Sequence, residues 1–354
     1  MNDNARSSME SGLSFGRFRR LLLALGALAL VLGPAFCVVY ADYRLFLDTP
    51  CGVPTDGLVF EVKPGMGIGD IARELQRQPG VLRSALYLEA YARLNGFAPK
   101  LKAGEYAIAP GMTPRGLIER IASGRVIQYT LVVVEGWTFQ QLRQTLAAHP
   151  KIVHSLREAN DAEIMARLGR PGEHPEGRFF PDTYHFPAGT TDEAFLRRAL
   201  AAMDRRLGET WNRRASNLPL SDPYQMLILA SIVEKETALP AERPAIAGVF
   251  VRRLQKGMLL QTDPTVIYGL GPAFDGNLRR RDLVADAPYN TYLRKGLPPT
   301  PIALPGGDAL AATANPASGD TLYFVATGEG GHVFSATLEE HNRAVRRYQL
   351  NKER

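Results

Sequence analysis

Two glutamates close a run that is apolar almost all round: Leu227-Ile228-Leu229-Ala230-Ser231-Ile232-Val233-Glu234-Lys235-Glu236-Thr237. A segment this apolar reads as a core helix, spanning the residues between Pro223 and Ala238. Burying a carboxylate without a partner is costly. The last turn therefore carries acid from the core toward a boundary, and a cleft is the boundary at which acid has a use. Successive helix residues advance by about 100°, so Glu234 and Glu236 point about 200° apart. Glu236 shares a face with Leu229, Ile232 and Val233, whereas Glu234 lies on a more mixed side with Leu227, Ser231 and Lys235. Pro240 ends the helix soon after Glu236. The negative end of the helix dipole disfavours a carboxylate there, and partial burial pushes the same way. A carboxylic acid kept protonated near neutral pH is what a general acid must be. The competing reading pairs both glutamates with nearby arginines such as Arg243 or Arg252, because ion-pair networks also perturb acids.

Three other segments carry polar chemistry. Glu176-Gly177-Arg178-Phe179-Phe180-Pro181-Asp182-Thr183-Tyr184 is aromatic, contains proline and shows no helical period. Gln261-Thr262-Asp263-Pro264-Thr265-Val266-Ile267-Tyr268-Gly269 follows a helix that ends at Gly257. Tyr289-Asn290-Thr291-Tyr292 leads into Gly296-Leu297-Pro298-Pro299-Thr300-Pro301-Ile302. Rings beside amides, hydroxyls and carboxyls suit sugars, covering pyranose C–H faces while polar groups take the hydroxyls. Together with a buried acid, these segments describe a carbohydrate cleft. Asp263 is read in two ways, as a second catalytic carboxylate or as an Asx-type cap on the turn Thr262-Asp263-Pro264-Thr265, with the cap preferred. The six histidines show no zinc spacing, and there is no Gly-x-Ser-x-Gly elbow and no phosphate loop. Neither a metal nor a cofactor is implied.

The chain that positions these residues has 354 of them, 45% apolar and 22% charged, which suffices for two folded domains plus an anchor. The net charge of +6 is spread out, densest at Arg279-Arg280-Arg281. Without zinc-finger spacing or interleaved aromatics, this excess argues against nucleic acid and suits an anionic envelope surface. Leu21 to Ala41 is uncharged and follows Arg17, Arg19 and Arg20. It is long enough to cross a bilayer of about 30 Å. The basic flank places residues 1–20 in the cytoplasm and everything after Asp42 outside. A cleaved signal peptide is the alternative, but its apolar region would be shorter. Cys37 falls in the span and Cys51 just beyond it, so no intramolecular disulfide is expected.

After a linker over 49–55, the pattern reads strand (58–62), helix (68–75), helix (84–94), strand (103–108), and a helix capped by Thr113 that ends at Gly124. The fold class is α+β. Strand, two helices and strand is the order found in LysM carbohydrate-binding modules, although a plain spacer domain fits equally well. A strand over 127–134 and a helix over 138–148 follow, and residues 149–175 read as an irregular connection.

Several motifs carry a family resemblance: Ala230 to Thr237, Gln261 to Gly269, Tyr289 to Tyr292, and Gly330-Gly331-His332-Val333-Phe334 with Glu340-His341-Asn342. In this order they resemble the endolytic murein transglycosylases, the YceG-like or MltG family, over essentially the whole chain. The resemblance implies a single-pass protein of the bacterial inner membrane, anchored through residues 21–41, with a LysM-like subdomain (56–125) and a periplasmic catalytic domain (126–350). It implies internal cutting of nascent peptidoglycan glycan strands during wall assembly, a role as terminator of glycan polymerisation, and peptidoglycan synthases as neighbours. The family's catalytic acid falls on Glu236. Gln261, Thr262, Tyr289 and Asn290 become the candidates to orient the sugar and stabilise an oxocarbenium-like centre, with Tyr268 and Tyr292 as walls. His332 and His341 are read as structural. Thr300 departs from the pattern, which leads one to expect a small residue such as glycine. A lysozyme-like hydrolase using Asp263 or Glu234 as second carboxylate remains open, as does a non-catalytic peptidoglycan-binding scaffold.

Overall fold

The computed structural model describes residues 7–350 of the chain, which divides into two compact units between Ile127 and Gln128. Both mix helices with short strands, and the described residues hold four two-stranded sheets.

The first unit opens with α1 (Ser7–Asp48), a helix of 42 residues that passes through Pro34. Its stretch Phe18–Asp48 is long and apolar enough to cross a membrane. The helix runs past the expected span at both ends. Its last turn buries Phe46 and Leu47 in the core of this unit. Asp42 pairs with Arg83 at 2.9 Å and Asp48 with Arg115 at 3.1 Å. The expected linker over 49–55 is tied down too: the Cys51 N–H donates to the Met112 carbonyl at 2.7 Å and the Gly52 N–H to Gly80 at 3.1 Å.

The core of this unit is framed by β1 (Leu58–Val62), α2 (Ile68–Arg77), α3 (Ala85–Leu94), β2 (Gly104–Ile108) and α4 (Pro114–Ser123). The two strands pair antiparallel, from Leu58 opposite Ile108 to Val62 opposite Gly104. Hydroxyl caps start the helices, as polar side chains commonly do by satisfying free N–H groups. Ser84 accepts from the Tyr87 N–H and Thr113 from the Gly116 N–H.

The second unit begins with β3 (Gln128–Val132), α5 (Phe139–Ala148), β4 (Ile152–Val153) and α6 (Asp161–Arg167). The region 149–175 is therefore not simply irregular. α6 is under two turns long, too short to show a period, yet Asn160 and Glu163 form a complete capping box around its first turn. Next come β5 (Thr183–Pro187), β6 (Thr190–Thr191) and the 21-residue α7 (Asp192–Asn212), which has no counterpart among the expected elements. β5 pairs antiparallel with β3, and β6 runs parallel to β4.

α8 (Pro223–Glu236) is the helix read from the sequence. Asp222 caps it, accepting the Gln225 N–H at 2.9 Å, and Pro223 takes the first helical position. Every residue from Met226 to Val233 is buried, against α7, α9 (Arg243–Gln255) and α12 (Gly307–Ala314), in one core that includes Met203, Ile246, Phe250 and Leu310. Ser231, fully buried, donates to the Ile228 carbonyl and accepts the Ile302 N–H at 3.0 Å, joining α8 to the loop before α12. The remaining elements are α10 (Asp263–Leu270), the single turn α11 (Arg280–Leu283), the antiparallel pair β7 (Tyr323–Ala326) and β8 (His332–Ser335), and α13 (Leu338–Val345).

The burial of Leu47 predicts that Leu47→Ala lowers the stability of the first unit by about 2–5 kcal/mol, as large-to-small changes in a packed core do. Denaturant unfolding of the full chain in detergent checks this. A tether that merely trailed from the unit would give no change.

Candidate active site

Burial and charge pairing separate the two acids of α8. Glu234 is tied into an ion pair, with its side chain 5% exposed and Oε1 2.8 Å from Arg243 Nη2. Its Oε2 accepts the Gly306 N–H at 2.9 Å. The arginine pairing considered for both acids therefore holds for Glu234 alone. Arg252 serves neither; it donates to the Thr321 and Ala317 carbonyls. Glu236, half-buried at the last helical position, accepts the Thr262 hydroxyl and forms no ion pair among the described residues. Burial pushes its carboxyl up to about 7, and the nearby Asp263 charge adds to this. The Thr262 hydrogen bond and the more distant His332 and Arg253 pull the other way.

Glu236 opens into a groove of about 450 Å³, whose walls include Gln261, Thr262, Asp263 and Tyr292. The loop that holds these residues is stitched through Thr291, whose Oγ1 accepts the Thr262 N–H at 3.1 Å and bonds the Thr265 hydroxyl at 2.9 Å. Gln261 sits at φ +50, the one positive-φ residue other than glycine among the described residues. That conformation costs about 1–3 kcal/mol and concentrates at functional sites. The Gln261 N–H donates to the Thr291 carbonyl at 3.1 Å, which fixes the turn.

Asp263 is not the turn cap that was preferred from sequence. Thr262 occupies the N-cap, with its hydroxyl given to Glu236, and Asp263 begins α10. There Asp263 Oδ1 accepts the Tyr292 hydroxyl at 2.5 Å, so the acid orients the ring across the groove.

The structure does not bring every expected residue to Glu236. Asn290 is buried, and its amide donates to the Leu283 and Ala285 carbonyls at 3.0 and 2.7 Å while its oxygen accepts the Tyr292 N–H at 2.9 Å. It shapes the loop rather than facing the groove. Tyr268 and Tyr289 line a separate cleft of about 870 Å³. Their rings meet edge-on at 5.0 Å. The Thr300 hydroxyl bonds that of Tyr289 at 2.8 Å, so the departure at Thr300 acts on this second cleft.

Glu176, on the floor of the second cleft, is the acid the sequence reading passed over. It is 3% exposed, accepts the Phe139 N–H at 3.0 Å and the Tyr268 hydroxyl at 3.1 Å, and is pushed up to about 7 by burial against those two bonds. The signal was an acid three residues before the aromatic pair Phe179-Phe180. Gly177 beside it has φ +78, and a Cβ there would lie 2.4 Å from that of Pro301, so only glycine lets the loop pass.

His332 and His341 also border the groove. His332 Nδ1 lies 2.7 Å from Glu242 Oε2 and its N–H donates to Oε1 at 2.8 Å, while His341 stacks on Tyr323 at 5.2 Å. Burial opposes charge on Glu242, but the His332 hydrogen bonds outweigh it and hold its carboxyl below the usual range. No group of histidine, cysteine or acid side chains able to hold a metal occurs among the described residues.

The mixed α+β fold is shared with known proteins. The chain belongs to the YceG-like family, whose profile matches residues 60–347. It is 32% identical over 304 residues to the endolytic murein transglycosylase of Bacillus subtilis strain 168, covering 81% of this chain and 83% of that one. The protein of the same name from Streptococcus pneumoniae D39 is 28% identical over 351 residues, covering 86% of this chain and 61% of its own. A solved yceG-like protein of Listeria monocytogenes matches with a TM-score of 0.53 at 30% identity, over 82% of this chain and 99% of that one.

The pKa of Glu236 sets a sign for stability. The folded state holds a proton that the unfolded chain loses near 4.5, so the contribution of Glu236 to stability is greatest below about 4.5 and declines as pH rises to about 7. The full shift amounts to about 3–4 kcal/mol. Glu236→Gln therefore melts higher than wild type at pH 8, and the gap closes at pH 5. Thermal unfolding of both proteins at the two pH values checks this; an equal gap at both would contradict it.

Proposed function

We propose that the chain is a lytic transglycosylase that cuts peptidoglycan glycan strands internally, with Glu236 as its acid and base. The observation that carries this reading is a half-buried carboxyl in a groove, held near neutral pKa with no ion-pair partner among the described residues. The names of the Bacillus and Streptococcus relatives support the substrate.

The single acid suffices. Protonated Glu236 donates its proton to the oxygen of the β-1,4 bond between N-acetylmuramic acid and N-acetylglucosamine as the C1–O bond breaks. The resulting carboxylate takes the proton of the muramoyl C6 hydroxyl, whose oxygen bonds C1 of the same ring. The product ends in 1,6-anhydro-N-acetylmuramic acid, and Glu236 is protonated again. Intramolecular attack gains from proximity and dispenses with the second carboxylate that most glycosidases need. The Thr262 hydroxyl holds the carboxyl in place, while Gln261 and the Asp263–Tyr292 pair orient the sugar.

In this reading α1 is a single-pass anchor in the bacterial inner membrane. The basic flank at Arg17, Arg19 and Arg20 keeps the N-terminus cytoplasmic and the enzyme periplasmic. The first unit, with its strand–helix–helix–strand order, is a LysM-like module (56–125) ahead of the catalytic domain (126–350). An internal cutter of new strands works beside the peptidoglycan synthases and ends their products.

Mass spectrometry of purified glycan strands incubated with the full chain tests this. Wild type yields anhydro ends, and Glu236→Gln loses about 10²–10⁴-fold in rate, the usual contribution of a general acid and base. Reducing ends would make the enzyme a hydrolase, with Asp263 as the second carboxylate. Strands that are bound but uncut by wild type would make it a scaffold. Because the proton must be present at the start, kcat/KM falls as pH rises through about 7, by about tenfold per unit well above it.

A further inference from the structure

We propose that the second cleft is a saccharide-binding site, which holds N-acetylated β-1,4-linked glycan outside the cutting groove. The assignment rests on the reading of the substrate as a glycan strand.

Two unlike walls face each other across this cleft. One is the face of α10 that carries Pro264, Ile267 and Tyr268, positions spaced so that they share one side of a helix. Tyr289 extends that wall. Gly269 leaves room for it, since a Cβ there would already lie 3.1 Å from that of Tyr289. The opposite wall is α5, which presents Gln140 and Gln144, one helical turn apart. Both are exposed, and neither amide takes a hydrogen-bond partner among the described residues. Their neighbour Gln141 is already used, capping the Thr138 N–H at 2.8 Å. Between the walls, Glu176 fixes Tyr268 by its hydroxyl, so the ring is held rather than free to swing.

This is an amphipathic slot, apolar and aromatic on one side and amide-bearing on the other. A pyranose is amphipathic in the same sense, with C–H faces for rings and hydroxyl or N-acetyl edges for amides. The volume of about 870 Å³ falls within the ligand-cleft range of about 300–1,000 Å³. The cleft also abuts the groove: Lys235 and Pro264 line it, while their chain neighbours Glu236 and Asp263 line the groove. Glycan seated here lies across the ridge formed by the end of α8 and the start of α10. A strand long enough to reach both sites is held at two points, which ties the cut to strand length.

The test uses the full chain in detergent, inactivated by Glu236→Gln, and a soluble β-1,4-linked N-acetylglucosamine oligomer carrying a photoreactive group. Crosslinked peptides from residues 139–148 and 264–272 are expected. Adding Gln140→Ala and Gln144→Ala weakens oligomer binding about tenfold, the loss of one or two hydrogen bonds. Alanine at exposed helix positions keeps the fold. Crosslinks confined to 260–263, 292 and 323–326, or an unchanged affinity in the double variant, would overturn the proposal. So would labelling of the cleft by a photoreactive stem peptide and not by the oligomer. Failure of wild type to cut strands would instead sink the catalytic reading, whatever the cleft binds.

Discussion

A carboxyl placed at the end of a helix, with no ion-pair partner among the described residues, constrains the rest of the second unit. The helix can hold Glu236 there because its preceding turns are buried on all sides and cannot shift without opening the core. An isolated ionised carboxylate at such a place is costly, and the group responds by keeping its proton to about pH 7. The surroundings then tune rather than quench it. Thr262 supplies one hydrogen bond, and the charged neighbours act at a distance with opposite signs. An arginine within ion-pair reach opposes the effect, as Arg243 does at Glu234 two residues earlier, where burial still holds the carboxyl above its usual value. Two identical side chains on one turn thus receive different electrostatics from the 200° between them.

The groove depends on a second set of local constraints. Thr262 serves as N-cap residue by position, yet gives its hydroxyl to Glu236 instead of to its own helix. The turn before it carries a positive φ at Gln261. Both are local costs, borne by the Thr291 bonds that hold this turn against the loop 289–292. Asn290 works for the same loop from within, its buried amide donating to the Leu283 and Ala285 carbonyls.

Much of this was legible in the sequence because it is local. The apolar run and its proline boundaries give α8, the 100° step separates its acids, and the hydroxyl residue at a helix start gives the cap at Thr113. What the sequence did not yield is decided by tertiary packing. Nothing in Tyr268, Tyr289 and Tyr292 says which cavity each ring faces; that depends on how the 289–292 loop docks on α10. Glu176 becomes a buried acid only because α5 and α10 converge on it from far along the chain. The last turn of α1 looks like the end of an anchor until Phe46 and Leu47 are seen within a core.

The central claim is that Glu236 carries its proton near neutral pH. The most direct measurement is an infrared titration of the carboxyl C=O stretch, taken as the difference between wild type and Glu236→Gln. The account predicts a protonated carboxyl band that disappears with a midpoint near pH 7. A band already gone above pH 5 would mean an ordinary exposed glutamate and would contradict the assignment of Glu236 as the proton donor.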